Sequence, residues 1–356
     1  MVGGSILDFA NAPVDTSATL LGERYLCRGG GAFFVAPSGQ GKSSLACQLA
    51  VEWSIGGDPI GIKAAQPLRV LIVQGEDDQG DVTEMTKWIL NAGFSTEKLS
   101  MIGRNTHIET LNDVVGDRFM AVLDNFCGKW QADIVIINPY TSFLGNDAKD
   151  EKAANNFLRE GLTPLLHRHG CAAIIMHHTP KTQFNPSADF TTTDFTYRGA
   201  GCASMTNWAR AYLVFEPVNE EKLFRFVAAK RGQRIGWESA IRFYRHSRVP
   251  GEIKWLRASE EEVDAAVTKK SKGKPQIEDK KLLSVFSLVD PIAKSTAEKK
   301  MMDLGASQAS ARSAIKRFID EELILVAEQP TNTKGWPHER YVMNGSGGCS
   351  SGDSKE

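Results

Sequence analysis

Residues 36–44 read APSGQGKSS. They follow the apolar run AFFV at 32–35 and precede a segment in which Leu45 and Leu49 recur with helical spacing. A Gly-rich loop that ends in Gly-Lys-Ser between a strand and a helix is typical of polyphosphate binding, and an ordinary glycine turn is the less favoured interpretation. The sequence therefore predicts a nucleotide-binding loop.

Each part of this loop has a predicted role in binding ATP. Gly39 and Gly41 let the backbone turn its N–H groups toward the phosphates at a helix N-terminus. Lys42 is expected to reach the β- and γ-phosphate oxygens, and the Ser43 hydroxyl is expected to hold Mg²⁺. The predicted ATP-binding residues are Pro37, Ser38, Gly39, Gln40, Gly41, Lys42, Ser43 and Ser44.

Composition restricts the class of protein. The chain has 356 residues, enough for one large α/β domain and a small accessory domain. It has no apolar run of about 18 residues and no cationic start, so we expect a cytoplasmic protein without a membrane partner. Its six cysteines lack paired spacing, which favours reduced thiols over a zinc site. The net charge of −1 means that affinity for nucleic acid must come from local patches.

The pattern of apolar runs predicts an α/β fold with a mostly parallel, twisted sheet flanked by helices. The predicted strands are 32–35, 69–74, 134–138, 172–177, 211–216 and 223–229. The predicted organisation is an N-terminal segment at 1–19, a large α/β domain at 20–260, a Lys-rich linker at 261–275, a small domain at 276–344 and a disordered tail at 345–356.

The small domain is predicted to be a winged helix-turn-helix. Helical patterns at 277–289 and 295–304 precede a third helix that Ser307 can cap, and two short strands follow at 323–327 and 340–343. Three helices followed by a hairpin is the layout of that motif. On the third helix the predicted DNA-binding residues are Arg312, Lys316 and Arg317.

Acidic residues follow the predicted strand 69–74. Ligands collect at the carboxyl edge of strands in open α/β sheets, so Glu76 is the candidate general base that orients a water toward the γ-phosphate. Asp77 or Asp78 can assist Mg²⁺ through water. The alternative for Glu76 is a solvated acidic turn.

The run ADIVIIN at 132–138 has the form of a Walker B strand, but it ends in Asn138 where a metal-binding Asp is usual. An amide is a weaker partner for Mg²⁺ than a carboxylate. The predicted metal set is therefore Ser43, Asp77 and Asn138, acting through water, and slow hydrolysis is a possible consequence.

Two histidines end the strand 172–177. One of the two imidazoles, His177 or His178, is predicted to sense the γ-phosphate, with a structural role or a metal site as alternatives. Neighbouring residues of a strand point to opposite faces, so His177 and His178 are not expected to share one ion.

Cations cluster directly after the strand 223–229. Lys230 and Arg231, with Arg234 close by, are candidates to contact the γ-phosphate of a neighbouring subunit. A solvated basic turn is the alternative.

A further candidate DNA contact is the segment 181–198, which has no usable period. Lys181 and Arg198 are predicted to meet DNA phosphates, and four aromatic residues between them are available to stack on bases.

Taken in order, these motifs resemble the RecA-like ATPases, and in particular the RepA-like hexameric replicative helicases of plasmids and phages, of AAA_25 type. The resemblance covers about residues 20–257. It implies a RecA-like P-loop NTPase core, a hexameric ring with ATP sites between subunits, Glu76 as catalytic acid/base, His178 as sensor, and Lys230 or Arg231 as the finger acting in trans. Asn138 and the missing Lys-x-Arg spacing depart from the family pattern.

The expected function is an ATP- and Mg²⁺-dependent DNA motor, a replicative helicase or translocase, with single-stranded DNA in the core and duplex DNA on the small domain. The alternative is an ATP-gated DNA-binding regulator or loader that does not unwind DNA. A small-molecule kinase is less favoured because no Arg-rich lid is evident.

Overall fold

The computed structural model describes residues 3–179, 203–218, 223–271, 279–327 and 340–344. The chain divides into two compact units, Met1–Thr268 and Lys269–Glu356. The predicted DNA-contact residues Lys181 and Arg198 and the predicted tail lie outside the described residues.

The large unit alternates strands and helices. Its strands are β1 (Thr19–Leu21), β2 (Leu26–Cys27), β3 (Gly31–Pro37), β4 (Val70–Gln74), β5 (Thr106–Thr110), β6 (Ile134–Asn138), β7 (Ala172–Thr179), β8 (Ala211–Pro217), β9 (Leu223–Lys230), β10 (Ile241–His246) and β11 (Trp255–Arg257). Its helices are α1 (Ile6–Asn11), α2 (Lys42–Ser54), α3 (Gln79–Leu90), α4 (Thr96–Asn105), α5 (Gly116–Trp130), α6 (Tyr140–Leu144), α7 (Glu151–Asn155), α8 (Thr163–His169), α9 (Ala203–Trp208) and α10 (Glu260–Ser271), with a π-helical segment at Asn156–Leu162.

Nine of these strands form one sheet in the order β11-β10-β9-β8-β3-β7-β6-β4-β5. The pairs from β8 through β3, β7, β6 and β4 to β5 are parallel. The strands β9, β10 and β11 extend the sheet with antiparallel pairs. The predicted α/β fold with a mostly parallel sheet is confirmed.

The centre of the sheet is buried on both faces, which explains its continuous apolar runs. Along β3 neighbouring side chains enter opposite layers, so that Phe34 packs with Leu45 and Leu49 of α2 while Phe33 packs with Tyr140 and Phe157. The helix α2 therefore covers one face of the sheet and holds the preceding loop against it.

All six predicted strands are present, but the sheet strands β5, β10 and β11 were missed, as was the separate pair of β1 and β2. The side chains of β5 are half-buried or exposed, and its sequence THIET contains one apolar residue, Ile108. The sequence IRFYRH of β10 contains two arginines and only Tyr244 is fully buried. A short strand that is half exposed lacks the apolar run by which the other strands were recognised.

The small unit contains three helices and three strands among its described residues. They are α11 (Asp279–Leu283), β12 (Ile292–Ala293), α12 (Lys294–Asp303), α13 (Gln308–Asp320), β13 (Ile324–Ala327) and β14 (Arg340–Met343). The strands form an antiparallel sheet in the order β12-β14-β13. Ser307 caps α13 as predicted, since its Oγ accepts a hydrogen bond from the Ser310 N–H at 3.1 Å. The buried face of α13 carries Ala311, Ile315 and Phe318.

Two predictions for this region differ from the structure. The helix expected at 277–289 is the shorter α11, and beyond it the Ser287 Oγ accepts hydrogen bonds from the Val289 and Asp290 N–H groups, which compete with helical bonds. The linker expected at 261–275 begins as α10. Ser259 and Glu262 form a capping box at its start, and Ala266 is buried against Val218 and Leu223. The first part of the expected linker is therefore a packed helix.

None of the helices in the described parts of the chain is long and apolar enough to cross a membrane.

Candidate nucleotide site

The phosphate-binding loop joins β3 to α2, as predicted. Gly39 and Gly41 have φ values of 75° and 78°, in the left-handed region that favours glycine. A Cβ atom on Gly41 would also lie 3.0 Å from the Trp255 ring and 3.1 Å from the Ser44 Oγ. The loop can therefore keep this backbone path only with glycine at residue 41.

Lys42 lies at the first turn of α2 and is only 5% exposed. Its Nζ donates to the carbonyl oxygens of Ala36 at 3.1 Å and Pro37 at 2.8 Å, so main-chain oxygens hold the ammonium in the way that phosphate oxygens can. Burial lowers the pKa of Lys42 to about 8, and the negative charge of Glu76 partly opposes that shift. The side chain is thus a buried cation that an anionic ligand stabilises.

The Ser43 hydroxyl lies in a polar corner at the carboxyl ends of β4 and β6. Its Oγ accepts a hydrogen bond from the Asn138 Nδ2 at 3.0 Å. Burial raises the pKa of the Asp77 carboxyl, a hydrogen bond with Ser43 opposes this, and the nearby acids Asp81, Glu76 and Asp78 add to it. The three residues predicted to act on Mg²⁺ therefore lie together.

Sequence reasoning missed Gln74, the last residue of β4. It is 2% exposed, and its side chain links Asn138 to Asp77. The only sequence signal was a polar residue at the end of a buried strand.

The two histidines of β7 have different surroundings. His177 is buried against the rings of Phe33 and Tyr140, and burial lowers its pKa to about 4. His178 lies on the other face, with its Nε2 3.6 Å from the Glu76 Oε1. Burial and the charge of Lys42 lower the pKa of His178, while Glu76 raises it. His178 is therefore a neutral imidazole at pH 7, and its separation from Glu76 is longer than a direct hydrogen bond.

The phosphate loop, the polar corner formed by Ser43, Asp77 and Asn138, and His178 line one cavity of about 480 Å³. A second cavity of about 360 Å³ shares Ser44, Trp88 and Ile253 with it. The loop therefore opens at one side to Glu76 and His178 and at the other to a partly apolar space of a size that suits a nucleoside. Trp88 and Ile253 were not anticipated from the sequence.

Lys230 and Arg231 lie far from this cavity. The strand β9 is antiparallel to β8, and Lys230 pairs with Tyr212 next to Ala211, which pairs with Ala32 at the start of β3. The seven residues of β3 span about 20 Å. These cations therefore lie near the amino end of β3, whereas the phosphate loop follows its carboxyl end. They cannot contact a nucleotide bound by their own chain.

Contacts within the chain already engage these cations. The Lys230 Nζ donates to the carbonyl oxygens of Thr206 at 2.9 Å and Ala209 at 2.6 Å. Arg231 donates to the carbonyl oxygen of Arg24 at 3.2 Å, and Arg234 to that of Glu23 at 3.3 Å. Burial and the neighbouring arginines lower the pKa values of Lys230 and Arg231. These positive charges lie close together, which favours binding of an anion beside them.

The predicted DNA-binding cations of α13 differ in their contacts. Arg312 Nε lies 3.1 Å from the Glu298 Oε1, and Arg317 forms an ion pair with Asp279 and is half-buried. Lys316 is exposed. Part of the positive charge expected on this helix is therefore neutralised inside the small unit.

A family model described as an AAA domain, AAA_25, matches residues 6–183, which is half of the chain and includes the phosphate loop, Glu76, Asn138 and His178. The chain belongs to the AAA_25 family. A search of the curated proteins found no match. Membership together with the loop geometry makes this large unit a P-loop ATPase-like AAA domain.

The donors of this AAA domain suit Mg²⁺. Within the described part of the chain no group of three or more His, Cys, Asp and Glu side chains is arranged to hold a metal ion. Mg²⁺ in nucleotide sites is bound through one or two protein oxygens together with phosphate oxygens and water. The Ser43 hydroxyl and the Asp77 carboxylate are hard oxygen donors beside the phosphate loop, so they fit this ion.

ATP binding is expected to weaken above about pH 8. Lys42 loses its proton through that range in the free protein, whereas bound phosphates favour the charged ammonium, so binding takes up a proton. The Kd for ATP should then rise by up to about tenfold per pH unit. Titration calorimetry between pH 7 and pH 9.5 measures both the Kd and the proton uptake.

The control for this prediction is Lys42→Arg, whose guanidinium stays charged throughout the range. Its affinity for ATP should be independent of pH. A wild-type Kd that is flat up to pH 9.5 would contradict the assignment of Lys42 as the titrating group.

Proposed function

We propose that this chain is an ATP-hydrolysing DNA motor, a RepA-like replicative helicase or translocase of a plasmid, phage or mobile element. The observation that carries the proposal is the convergence of Lys42, Ser43, Glu76 and His178 on one cavity. The sequence resemblance to the RepA-like helicases supports the motor assignment.

In this proposal Lys42 and the loop N–H groups bind the β- and γ-phosphates, and Glu76 accepts a proton from the attacking water. Glu76 is suited to this role because its carboxylate is half exposed and reaches water. His178, neutral and next to Glu76, reports the presence of the γ-phosphate through hydrogen bonding. Bound Mg²⁺ supplies positive charge that offsets the charge on the phosphates.

The position of Lys230 and Arg231 supports an assembly in which ATP lies between subunits. Because these cations cannot reach the nucleotide of their own chain, a catalytic role for them requires the phosphates bound by a neighbouring copy. We propose Arg231 for this role, since Lys230 is held by two carbonyl oxygens of its own chain. A hexameric ring is the assembly that the resemblance implies.

We propose the small unit as a winged helix that binds duplex DNA. Its three helices and three-stranded antiparallel sheet support that motif, with α13 as the recognition helix. Lys316 and Arg312 are both exposed on that helix, but Arg312 must exchange Glu298 for a DNA phosphate.

One observation favours the alternative, an ATP-gated DNA-binding regulator or loader. The residue that ends β6 is the neutral Asn138, so the site has one carboxylate fewer than a usual Walker B strand provides. Slow turnover would suit a switch better than a motor.

The experiment that separates these functions is Mg²⁺-dependent ATP hydrolysis with and without single-stranded DNA. We expect the single strand to stimulate turnover, because a motor couples each hydrolysis step to movement along the strand. The same preparation of Lys42→Ala controls for a contaminating ATPase.

Turnover that single-stranded DNA leaves unchanged, together with sequence-selective binding to duplex DNA, would overturn the motor and support the regulator. Absence of ATP binding would overturn both.

A further inference from the structure

The carboxyl ends of β4 and β6 carry two buried amides side by side. Gln74 and Asn138 are partners in the parallel register of these strands, and each is 2% exposed. The Asn138 Nδ2 donates to the Gln74 Oε1 at 2.6 Å. Since this bond uses the Gln74 side-chain oxygen, the Gln74 amino group faces away from Asn138.

The Gln74 amino group lies next to the side chains of Asp77 and Ser43. Its Nε2 donates to the Asp77 carboxylate and lies 3.5 Å from the Ser43 Oγ. The Asn138 Nδ2 also donates to the Ser43 Oγ, at 3.0 Å. Through these hydrogen bonds the two amides hold the Ser43 hydroxyl and the Asp77 carboxylate beside the phosphate loop.

The charges in this corner are arranged unusually. A side chain at the end of β6 is where a carboxylate would attract the water shell of Mg²⁺, but Asn138 is neutral. Asp77 carries the charge instead, after the neighbouring strand β4, and within the described residues no lysine or arginine forms an ion pair with it. A half-buried carboxylate beside a serine hydroxyl and without a cationic side chain is a partner for a bound cation.

We propose that Asp77 replaces the residue at 138 as the carboxylate that holds the water shell of Mg²⁺, and that Gln74 is the positioning residue that aims Asp77 at Ser43. The proposal rests on the proposed ATP site and assigns its metal side. Gln74 acts through Asp77, because its own amide cannot balance the charge of the ion.

The test is binding of a fluorescent ATP analogue, measured with Mg²⁺ and with EDTA, so that each variant has an internal reference. For the wild type we expect tighter binding with Mg²⁺. Asp77→Asn should lose at least about tenfold of this Mg²⁺-linked gain and keep its affinity in EDTA. Adding Asn138→Asp to Asp77→Asn should restore most of the gain, because it returns a carboxylate to the end of β6.

Gln74→Leu tests the positioning role. It should reduce the Mg²⁺-linked gain by about threefold to tenfold, and it should cause no further loss when combined with Asp77→Asn, because both changes remove one function. Should Gln74→Leu fail to fold, Gln74→Met keeps a side chain of similar length, adds no charge and cannot donate to Asp77. Asp113→Asn, which removes an exposed carboxylate that does not line the cavity, controls for the loss of negative charge and should keep the gain.

The outcomes distinguish a failure of the metal assignment from a failure of the proposed ATP site. A wild type that binds the analogue with an Mg²⁺-linked gain, and an Asp77→Asn variant that keeps this gain, would overturn the assignment of Asp77 and leave the ATP site intact. Additive losses in Gln74→Leu and Asp77→Asn would overturn the role of Gln74. A wild type that binds no analogue in either buffer would overturn the ATP site and the metal assignment together.

Discussion

Replacing Lys42 with alanine is expected to weaken ATP binding by about 100-fold or more. The ammonium is a buried cation whose two hydrogen-bond acceptors in the free protein are carbonyl oxygens, and phosphate oxygens bind it more strongly because they are charged. Loss of two charge-assisted hydrogen bonds costs about 3 kcal/mol or more. Equilibrium binding of a fluorescent ATP analogue measures the change.

The matched control is Lys87→Ala, which removes an exposed lysine from α3 and should leave the affinity for ATP unchanged. The melting temperature of Lys42→Ala should stay close to that of the wild type, since the ammonium that it removes is costly to bury. Equal affinities in Lys42→Ala and the wild type would show that the loop does not bind the phosphates.

The second large effect is expected from Glu76→Gln. This change keeps the size of the side chain and removes its ability to accept a proton, so turnover should fall by about 100-fold to 10,000-fold. ATP affinity should change little, because Lys42 and the loop N–H groups bind the phosphates in the proposed site. Single-turnover hydrolysis, with binding measured on the same sample, separates the two quantities.

Asp113→Asn is the comparison for this variant, since it removes an exposed carboxylate that does not line the cavity. It should hydrolyse ATP at the wild-type rate. Glu76→Gln with full turnover would remove Glu76 from the chemistry, and a variant that loses binding and turnover equally would place its carboxylate in nucleotide binding instead.

Much of the fold could be predicted because its signals are local. The six buried strands are apolar runs, and the phosphate loop lies between two of the elements that its own sequence specifies. The sheet strands β5, β10 and β11 were missed because they are short or half exposed and carry polar residues. The start of α10 had a local signal as well, the capping box of Ser259 and Glu262, but the lysine-rich composition that follows favoured a linker.

The candidate site was predictable only in part. The residues at strand ends, Glu76, Asp77, Asn138 and His178, were recognised as ligand-edge residues, and the structure brings them to one cavity. Gln74 was missed because its importance comes from a partner 64 positions away in the chain. The cations after β9 were recognised, but not their distance from the loop, because that depends on the direction of β9 in the sheet.

By itself the sequence determined the phosphate loop, the buried strands and the chemistry at their ends, because these depend on spacing and polarity along a few residues. The tertiary structure alone decided which histidine faces the nucleotide cavity, which amides meet at Ser43 and which edge carries Lys230 and Arg231. Alternation along β7 requires His177 and His178 to face opposite sides, but only the packing of α2 on one face assigns the sides. The physical reason is that strand order, register and direction arise from long-range pairing, which no local pattern of residues encodes.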